Sequence, residues 1–196
     1  MAEGAEYQWD WLDLADSPVI VRSMSKKKTK NTKTKSTTKS KTASKASTTT
    51  PASPKVVDAL RQVVADCYAL LGQTHVCHWN VRGPSFFSLH TAFEAQYTEL
   101  FTAVDEIAER IRALGALAPG GLANLAKMAG MEEIKEDATA KQMVEHISAA
   151  NKALVADLMK ARDLAGEAGD DQTEDLMIGR IQVHEKTIWM LDSYLQ

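Results

Sequence analysis

Apolar residues recur every three or four positions along most of the chain beyond residue 53, the spacing that places them on one face of an α-helix. The pattern predicts four long helices, at about 54–80, 86–114, 138–167 and 172–195, and a short helix within 121–130. Short links within each pair and a long link between the pairs are typical of two helical hairpins. The chain is therefore predicted to be all-α, a four-helix bundle with a short helix in its long crossover.

Local signals support these helix boundaries. Ser53 and Pro54 predict an N-cap followed by a first-turn proline, and Gly83-Pro84 predicts the turn that folds the second helix back on the first. Gly169 and the acidic residues after it predict the turn before the last helix. The residues predicted to face the core are Val56, Val57, Leu60, Val63, Val64, Leu70, Leu71, Phe93, Tyr97, Leu100, Phe101, Val104, Ile107, Ile111, Leu114, Leu176, Met177, Ile181, Ile188, Leu191 and Leu195, with Met128, Met131, Met143, Met159 and Met190.

Charge divides the chain into three parts, because the net charge of −3 combines a basic first quarter with an acidic remainder. Residues 1–23 form an acidic extension of open role: an upstream segment before Met24, a docking peptide, or an acidic strip that shields the next segment. Residues 24–53 are rich in Lys, Ser and Thr, contain no acidic residue, and predict a disordered arm. Residues 54–196 are predicted to be the folded domain.

The lysines of the arm are candidates for binding double-stranded DNA. Ammonium groups displace counterions from duplex DNA without reading its sequence, and many copies of a weak arm would bind by avidity. A solvated linker is the alternative. The candidate residues are Lys26, Lys27, Lys28, Lys30, Lys33, Lys35, Lys39, Lys41 and Lys45.

Cysteine usage and hydropathy favour a cytoplasmic protein. Cys67 and Cys77 are ten residues apart on one predicted helix, roughly 15 Å, so they cannot bridge there and are predicted to be buried thiols. No apolar run approaches ~18 residues, so no membrane span is expected, and the start lacks the pattern of a secretory signal.

Candidate metal ligands lie in the second predicted helix. Asp105 and Glu109 are four residues apart, so they project from one helix face and suit a divalent cation. His90 precedes Asp105 by fifteen residues, roughly 22 Å along a continuous helix. Either these groups are unrelated, or a two-fold partner brings its His90 to the first chain's Asp105. His78 can join His90 through the Gly83-Pro84 turn.

No Glu stands three residues before any histidine, so the Glu-x-x-His pairs of di-iron sites inside a bundle are absent from the sequence. This absence favours a metal site at a subunit interface over one inside the bundle.

The run His78-Trp79-Asn80-Val81-Arg82-Gly83-Pro84, followed by His90, Asp105 and the Ala108-Glu109-Arg110 segment, resembles the Dps family, the mini-ferritins named DNA-binding proteins from starved cells. The resemblance covers about 55–196. It implies a ferritin-like bundle assembled from two-fold dimers into a hollow dodecamer, associated with the nucleoid. It also implies that iron(II) is oxidised between subunits, preferably by hydrogen peroxide, and stored as ferric mineral.

The resemblance also implies roles for particular residues. It assigns the iron-oxidising site to His78, His90, Asp105 and Glu109. From the residues themselves, Glu94 lies four positions after His90 on the same helix face and is a candidate for holding a second, weaker iron. Thr91 stands where many relatives carry Glu, which argues against rapid nucleation of mineral. Arg110, beside Glu109, is expected to orient carboxylates by a bidentate contact.

Other residues keep two interpretations each. His75 is either an auxiliary ligand or a packing residue, and Trp79 either fills the dimer interface or donates electrons near iron. Asp170, Asp171 and Asp175 either stabilise a helix N-terminus or line an acidic pore for iron(II). The alternative function is a DNA-compacting shell without iron-oxidising activity.

Overall fold

The computed structural model describes residues 53–196, and within this range the secondary structure is entirely helical. The helices are α1 (Pro54–Asn80), α2 (Phe86–Ala113), α3 (Leu122–Ala129), α4 (Ala140–Ala168) and α5 (Asp171–Tyr194). The hairpins α1–α2 and α4–α5 pack together through α1 and α4, and α3 lies against α1. The predicted four-helix bundle, with its short helix in the crossover, is confirmed.

Helix ends follow the local signals with two differences. Ser53 is the N-cap residue and Pro54 begins α1, as predicted, although the hydroxyl of Ser53 makes no capping hydrogen bond. Proline has no N–H, so only three of the usual four unpaired donors remain at the start of α1. Thr139 and Gln142 form a capping box, which is why α4 begins at Ala140 and not at 138.

The core is built from the predicted apolar stripes, with two exceptions. Leu60 and Phe93 are fully buried between the hairpins, whereas the side chains of Phe101 and Met190 are 72% and 52% exposed. The prediction that Phe101 and Met190 lie in the core is therefore wrong. In each case a neighbouring residue takes the inward position: Leu100 on α2 and Leu191 on α5.

Both cysteines are free and buried, as predicted. Burial raises the pKa of each thiol to about 12, so neither is a reactive thiolate at neutral pH. None of the helices described is both long and apolar enough to cross a membrane.

Candidate metal centre

The turn after α1 brings two histidines into contact. Gly83 has a φ of 103°, a backbone conformation that residues with a Cβ rarely adopt, and it allows α2 to fold back along α1. The imidazole rings of His78 and His90 then stack with their centroids 3.8 Å apart. The two histidines lie together, as the Gly83-Pro84 turn predicts.

Reciprocal hydrogen bonds fix both rings. Nδ1 of His78 lies 2.9 Å from the carbonyl oxygen of His90, and Nδ1 of His90 lies 2.9 Å from that of His78. A carbonyl only accepts, so each Nδ1 carries a proton and donates it, and Nε2 is the ring nitrogen that remains for a further partner. Histidine ligands of metals are commonly oriented in this way. Both imidazoles therefore have the same ring nitrogen, Nε2, outside these hydrogen bonds.

The acidic pair occupies the other end of α2. Asp105 and Glu109 are exposed, one helical turn apart, and neither forms an ion pair within residues 53–196. Arg110 does not orient Glu109, contrary to expectation: its Nε donates to Thr173 Oγ1 at 2.8 Å and its Nη2 to Asp170 Oδ1 at 2.5 Å. The α5 N-terminus, packed near the end of α2, supplies the stronger partner for Arg110. Among the described residues, the two carboxylates therefore have no positively charged partner.

Within one chain the two halves of this candidate site remain apart. Because α2 is continuous from Phe86 to Ala113, His90 and Asp105 are separated by roughly 22 Å along its axis. Among residues 53–196 no three His, Cys, Asp or Glu side chains lie close enough together to hold one metal ion. Each half is thus an incomplete ligand set.

Aromatic rings surround the histidine half. His75 stacks on Trp79 with ring centroids 5.1 Å apart, and it contacts Tyr97 at 4.3 Å. Burial and the neighbouring His78 lower the pKa of His75, which favours its neutral form. These contacts support the packing role of His75. The indole of Trp79 is 67% exposed in the single chain, a large apolar surface available for a partner.

Tyr97 is the feature of this half that sequence reasoning missed. Its position in the sequence places Tyr97 in the apolar stripe of α2, but its ring also meets His78 edge-on at 5.1 Å. Tyr97 follows His90 by seven residues, which is two helical turns, so the two residues share a helix face. This seven-residue spacing is the sequence signal that could have placed Tyr97 beside the histidines.

The remaining acidic candidates differ in their surroundings. Glu94 is exposed one turn after His90, and Asp171 and Asp175 are exposed on the first turns of α5. Asp170 caps α5: it accepts hydrogen bonds from Thr173 and pairs with Arg110. Burial alone would raise the pKa of Asp170, but these hydrogen bonds and the positive charge hold it below its ordinary value. The helix-terminus interpretation of Asp170 is thus observed, and the pore role of all three aspartates remains a prediction.

A second polar network lies inside the bundle, and sequence reasoning did not find it. Arg180 is 6% exposed, and both of its terminal nitrogens donate hydrogen bonds to the Glu99 carboxylate. Its Nη2 also donates a hydrogen bond to His184 Nε2 at 3.0 Å. Nδ1 of His184 therefore carries the proton and donates to Asn151 Oδ1 at 2.8 Å. Burial, followed by the charge of Arg180, lowers the pKa of His184 to about 4. The network joins α2, α4 and α5.

The lysine arm and the acidic extension lie outside the described residues. The interpretation of residues 24–53 as a disordered DNA-binding arm, and of residues 1–23 as a separate extension, therefore remains a prediction from sequence.

Comparison with known proteins agrees with this architecture. A family model described as a ferritin-like domain matches residues 57–196. The crystal structure of Dps from Staphylococcus aureus is similar with a TM-score of 0.70 and 40% identity, over 72% of this chain and 95% of that one. The fold and the paired histidines therefore define a ferritin-like protein.

Relatives narrow the class further. DNA protection during starvation protein 2 of Bacillus anthracis is 37% identical over 72% of this chain and 97% of its own length. The Dps structure from Vibrio cholerae O1, described as a member of a superfamily of ferritin-like diiron-carboxylate proteins, is 32% identical with a TM-score of 0.70, over 72% of this chain and 89% of that one. This chain belongs to the Dps family.

Proposed function

We propose that this protein is a DNA-protecting mini-ferritin whose iron-oxidising site is shared by two subunits. His78 and His90 of one subunit and Asp105 and Glu109 of its two-fold mate would bind the iron(II) substrate. The observation that carries the proposal is the complementarity of the two half-sites. Within residues 53–196, one chain presents two preoriented imidazoles beside one end of α2 and, at the other end, two carboxylates without an ion-pair partner. The two groups are too far apart to share an ion.

A dimer with two-fold symmetry would complete both half-sites. An isologous interface that places one copy of α2 antiparallel to the other brings each histidine half to the partner's acidic half, and so forms two identical sites. The exposed Trp79 beside the histidine half and Phe101 beside the acidic half supply apolar surface for such an interface. The mixed nitrogen and carboxylate donors suit iron better than magnesium.

The reaction proposed is a two-electron reduction of hydrogen peroxide. Two iron(II) ions give one electron each, the O–O bond breaks, and two protons from solvent complete two water molecules. Carboxylate donors favour iron(III) over iron(II), which makes the electron transfer more favourable. Glu94, one turn from His90, is placed to assist a second, weaker iron. Taking both electrons together avoids the release of hydroxyl radical.

Storage and DNA protection complete the proposal. Twelve subunits would form a hollow shell that holds ferric mineral, and iron(II) would enter through pores lined by Asp170, Asp171 and Asp175. The names of the relatives refer to DNA protection during starvation. The nine lysines of residues 24–53 would attach an otherwise acidic shell to the nucleoid in the cytoplasm through the DNA phosphates.

The iron chemistry is tested by removing the acidic half. Asp105→Asn with Glu109→Gln keeps side-chain size and removes both negative charges, so iron(III) formation after addition of iron(II) and peroxide is expected to slow at least tenfold. Glu185→Gln is the control, because it removes an exposed carboxylate of α5 that is not part of the proposed site. Equal rates in the double variant and the wild type would refute the site. No oxidation by the wild type would favour the alternative, a DNA-compacting shell without redox activity.

The DNA role is tested by deleting residues 24–50. The shortened protein is expected to lose its gel shift of duplex DNA at low salt while it still oxidises iron. For the full chain, the logarithm of the binding constant should fall linearly with the logarithm of salt concentration. A gel shift that survives the deletion would show that the arm is not the anchor.

A further inference from the structure

A buried carboxylate on α1 has one oxygen without a partner. Asp66 is 5% exposed, and its Oδ1 accepts a hydrogen bond of 2.9 Å from Nε2 of Gln62. Its Oδ2 is also buried, and within residues 53–196 it has neither a hydrogen-bond donor nor an ion-pair partner. Burying an ionised carboxylate is costly unless it is paired. This oxygen therefore needs either a proton or a positively charged partner.

A second carboxylate lies near Asp66 on the neighbouring helix. Burial raises the pKa of Asp66 to about 6, the hydrogen bond from Gln62 opposes this rise, and the negative charge of Asp157 on α4 adds to it. Asp157 is therefore close enough for its charge to act on Asp66. Because the pKa of Asp66 stays below 7, both groups are mainly negative at neutral pH. Two anionic side chains thus lie between the α1–α2 and α4–α5 hairpins.

Oxygen-bearing side chains line a groove that runs between α1 and α4. Asp58, Gln62 and Asp66 follow one another at four-residue intervals on α1, so they share one helix face. Asp58 and Gln62 line the groove from α1, and Asp157 lines it from α4. Since Gln62 also bonds to Asp66, the buried carboxylate lies directly next to the groove lining. A hydrated ion can therefore approach along a path of oxygen ligands.

We propose that Asp66 and Asp157 bind one divalent cation of the Mg²⁺ type between α1 and α4. Carboxylates are hard oxygen donors, and Mg²⁺ is commonly held by one or two of them while it keeps several of its waters. The groove beside the two carboxylates gives room for those waters. The ion joins the two hairpins and stabilises the bundle, because it binds only where α1 and α4 are packed together. The site shares no residue with the proposed iron site, so neither proposal depends on the other.

The groove also contains positive charge that competes with a cation. Lys55 and Lys160 line it and are exposed, and neither forms an ion pair in the part of the chain that the structure describes. A positive charge in the groove repels Mg²⁺, so Lys160→Met is expected to strengthen Mg²⁺ binding. A Lys160→Met variant that is less stable without Mg²⁺ and binds the ion no better would show that the ammonium is the partner, and would overturn the proposal.

The main experiment measures Mg²⁺ binding to the full-length assembled protein by isothermal titration calorimetry at pH 7. Thermal unfolding is compared in MgCl₂ and in NaCl of equal ionic strength, and Mg²⁺ should raise the unfolding temperature of the wild type by several degrees. Asp66→Asn keeps an oxygen for Gln62 but removes the charge, so it should weaken binding at least tenfold and lose the temperature shift. Asp163→Asn is the control, because Asp163 is exposed on α4 and pairs with Arg162.

Asp157→Asn provides a second test, since Asp157 is only half-buried and its substitution is tolerated more easily than one at Asp66. It should also weaken Mg²⁺ binding at least tenfold. Equal binding and equal temperature shifts in the wild type and both variants would overturn the proposal. So would an infrared carbonyl band of a protonated carboxyl group that is lost in Asp66→Asn but persists in the wild type with Mg²⁺, because a proton would then occupy the place of the cation.

Discussion

Protonation of His184 should destabilise the bundle in mildly acidic solution. Both ring nitrogens are engaged in the neutral form: Nε2 accepts from Arg180, and Nδ1 donates to Asn151. A second proton would place a positive charge against the guanidinium of Arg180, in a site that is 2% exposed. The fold therefore holds the pKa of His184 at about 4, below the ordinary value of 6.5.

The direction and size of the effect follow from these two values. Above pH 6.5 the ring is neutral in the folded and unfolded states, and its contribution to stability is complete. As the pH falls from 6.5 to about 4, the unfolded chain binds a proton that the fold resists, and the free energy of unfolding declines. The difference of about 2.5 units between the two pKa values corresponds to a loss of about 3 kcal/mol in the free energy of unfolding per subunit.

The assay compares urea unfolding of the wild type and His184→Gln at pH 7 and pH 4.5, at one protein concentration. Glutamine can still accept from Arg180 and donate to Asn151 but does not titrate. The wild type should therefore lose about 2–3 kcal/mol more than the variant between the two pH values. Other titrating groups are present in both proteins and cancel in the comparison. Parallel losses in the two proteins would refute this role of His184.

Two further substitutions test contacts within the fold. Glu99→Gln leaves the buried guanidinium of Arg180 without its counter-charge, and because the Glu99 side chain is partly exposed the cost in urea unfolding should be about 1–2 kcal/mol. Adding Arg180→Met should restore part of that loss, and no loss in Glu99→Gln would contradict a stabilising pair. Asp170→Ala removes the cap of α5 and the partner of Arg110 and should cost about 1–2 kcal/mol, whereas Asp170→Asn keeps a capping oxygen and should cost less. Equal losses of unfolding free energy in Asp170→Ala and Asp170→Asn would show that the capping oxygen contributes nothing.

The fold was predictable from sequence because its determinants are local. The three-to-four spacing of Leu60, Phe93 and their neighbours defines helix faces, and Gly83-Pro84 defines the turn that brings His78 to His90. The separation of His90 from the acidic pair follows from helix rise alone.

Contacts between distant segments were not predictable in the same way. Proximity in sequence predicts that Arg110 contacts its neighbour Glu109. The structure instead pairs Arg110 with Asp170, sixty residues later, because the N-terminus of α5 lies beside the end of α2. The Glu99–Arg180 pair spans α2 and α5 for the same reason. Phe101 matched the apolar stripe but lies at its edge, and periodicity alone does not distinguish a core residue from one that faces a partner.

Mixing two inactive proteins tests most directly whether two subunits share the site. One protein lacks the imidazoles (His78→Ala with His90→Ala), and the other lacks the carboxylates (Asp105→Ala with Glu109→Ala). In a two-fold pair made from one subunit of each kind, one site combines both defects and the other has every ligand. Random co-assembly of equal amounts is therefore predicted to restore about one quarter of the wild-type rate of iron(II) oxidation by peroxide. A mixture that assembles but stays as inactive as either parent would contradict the shared site.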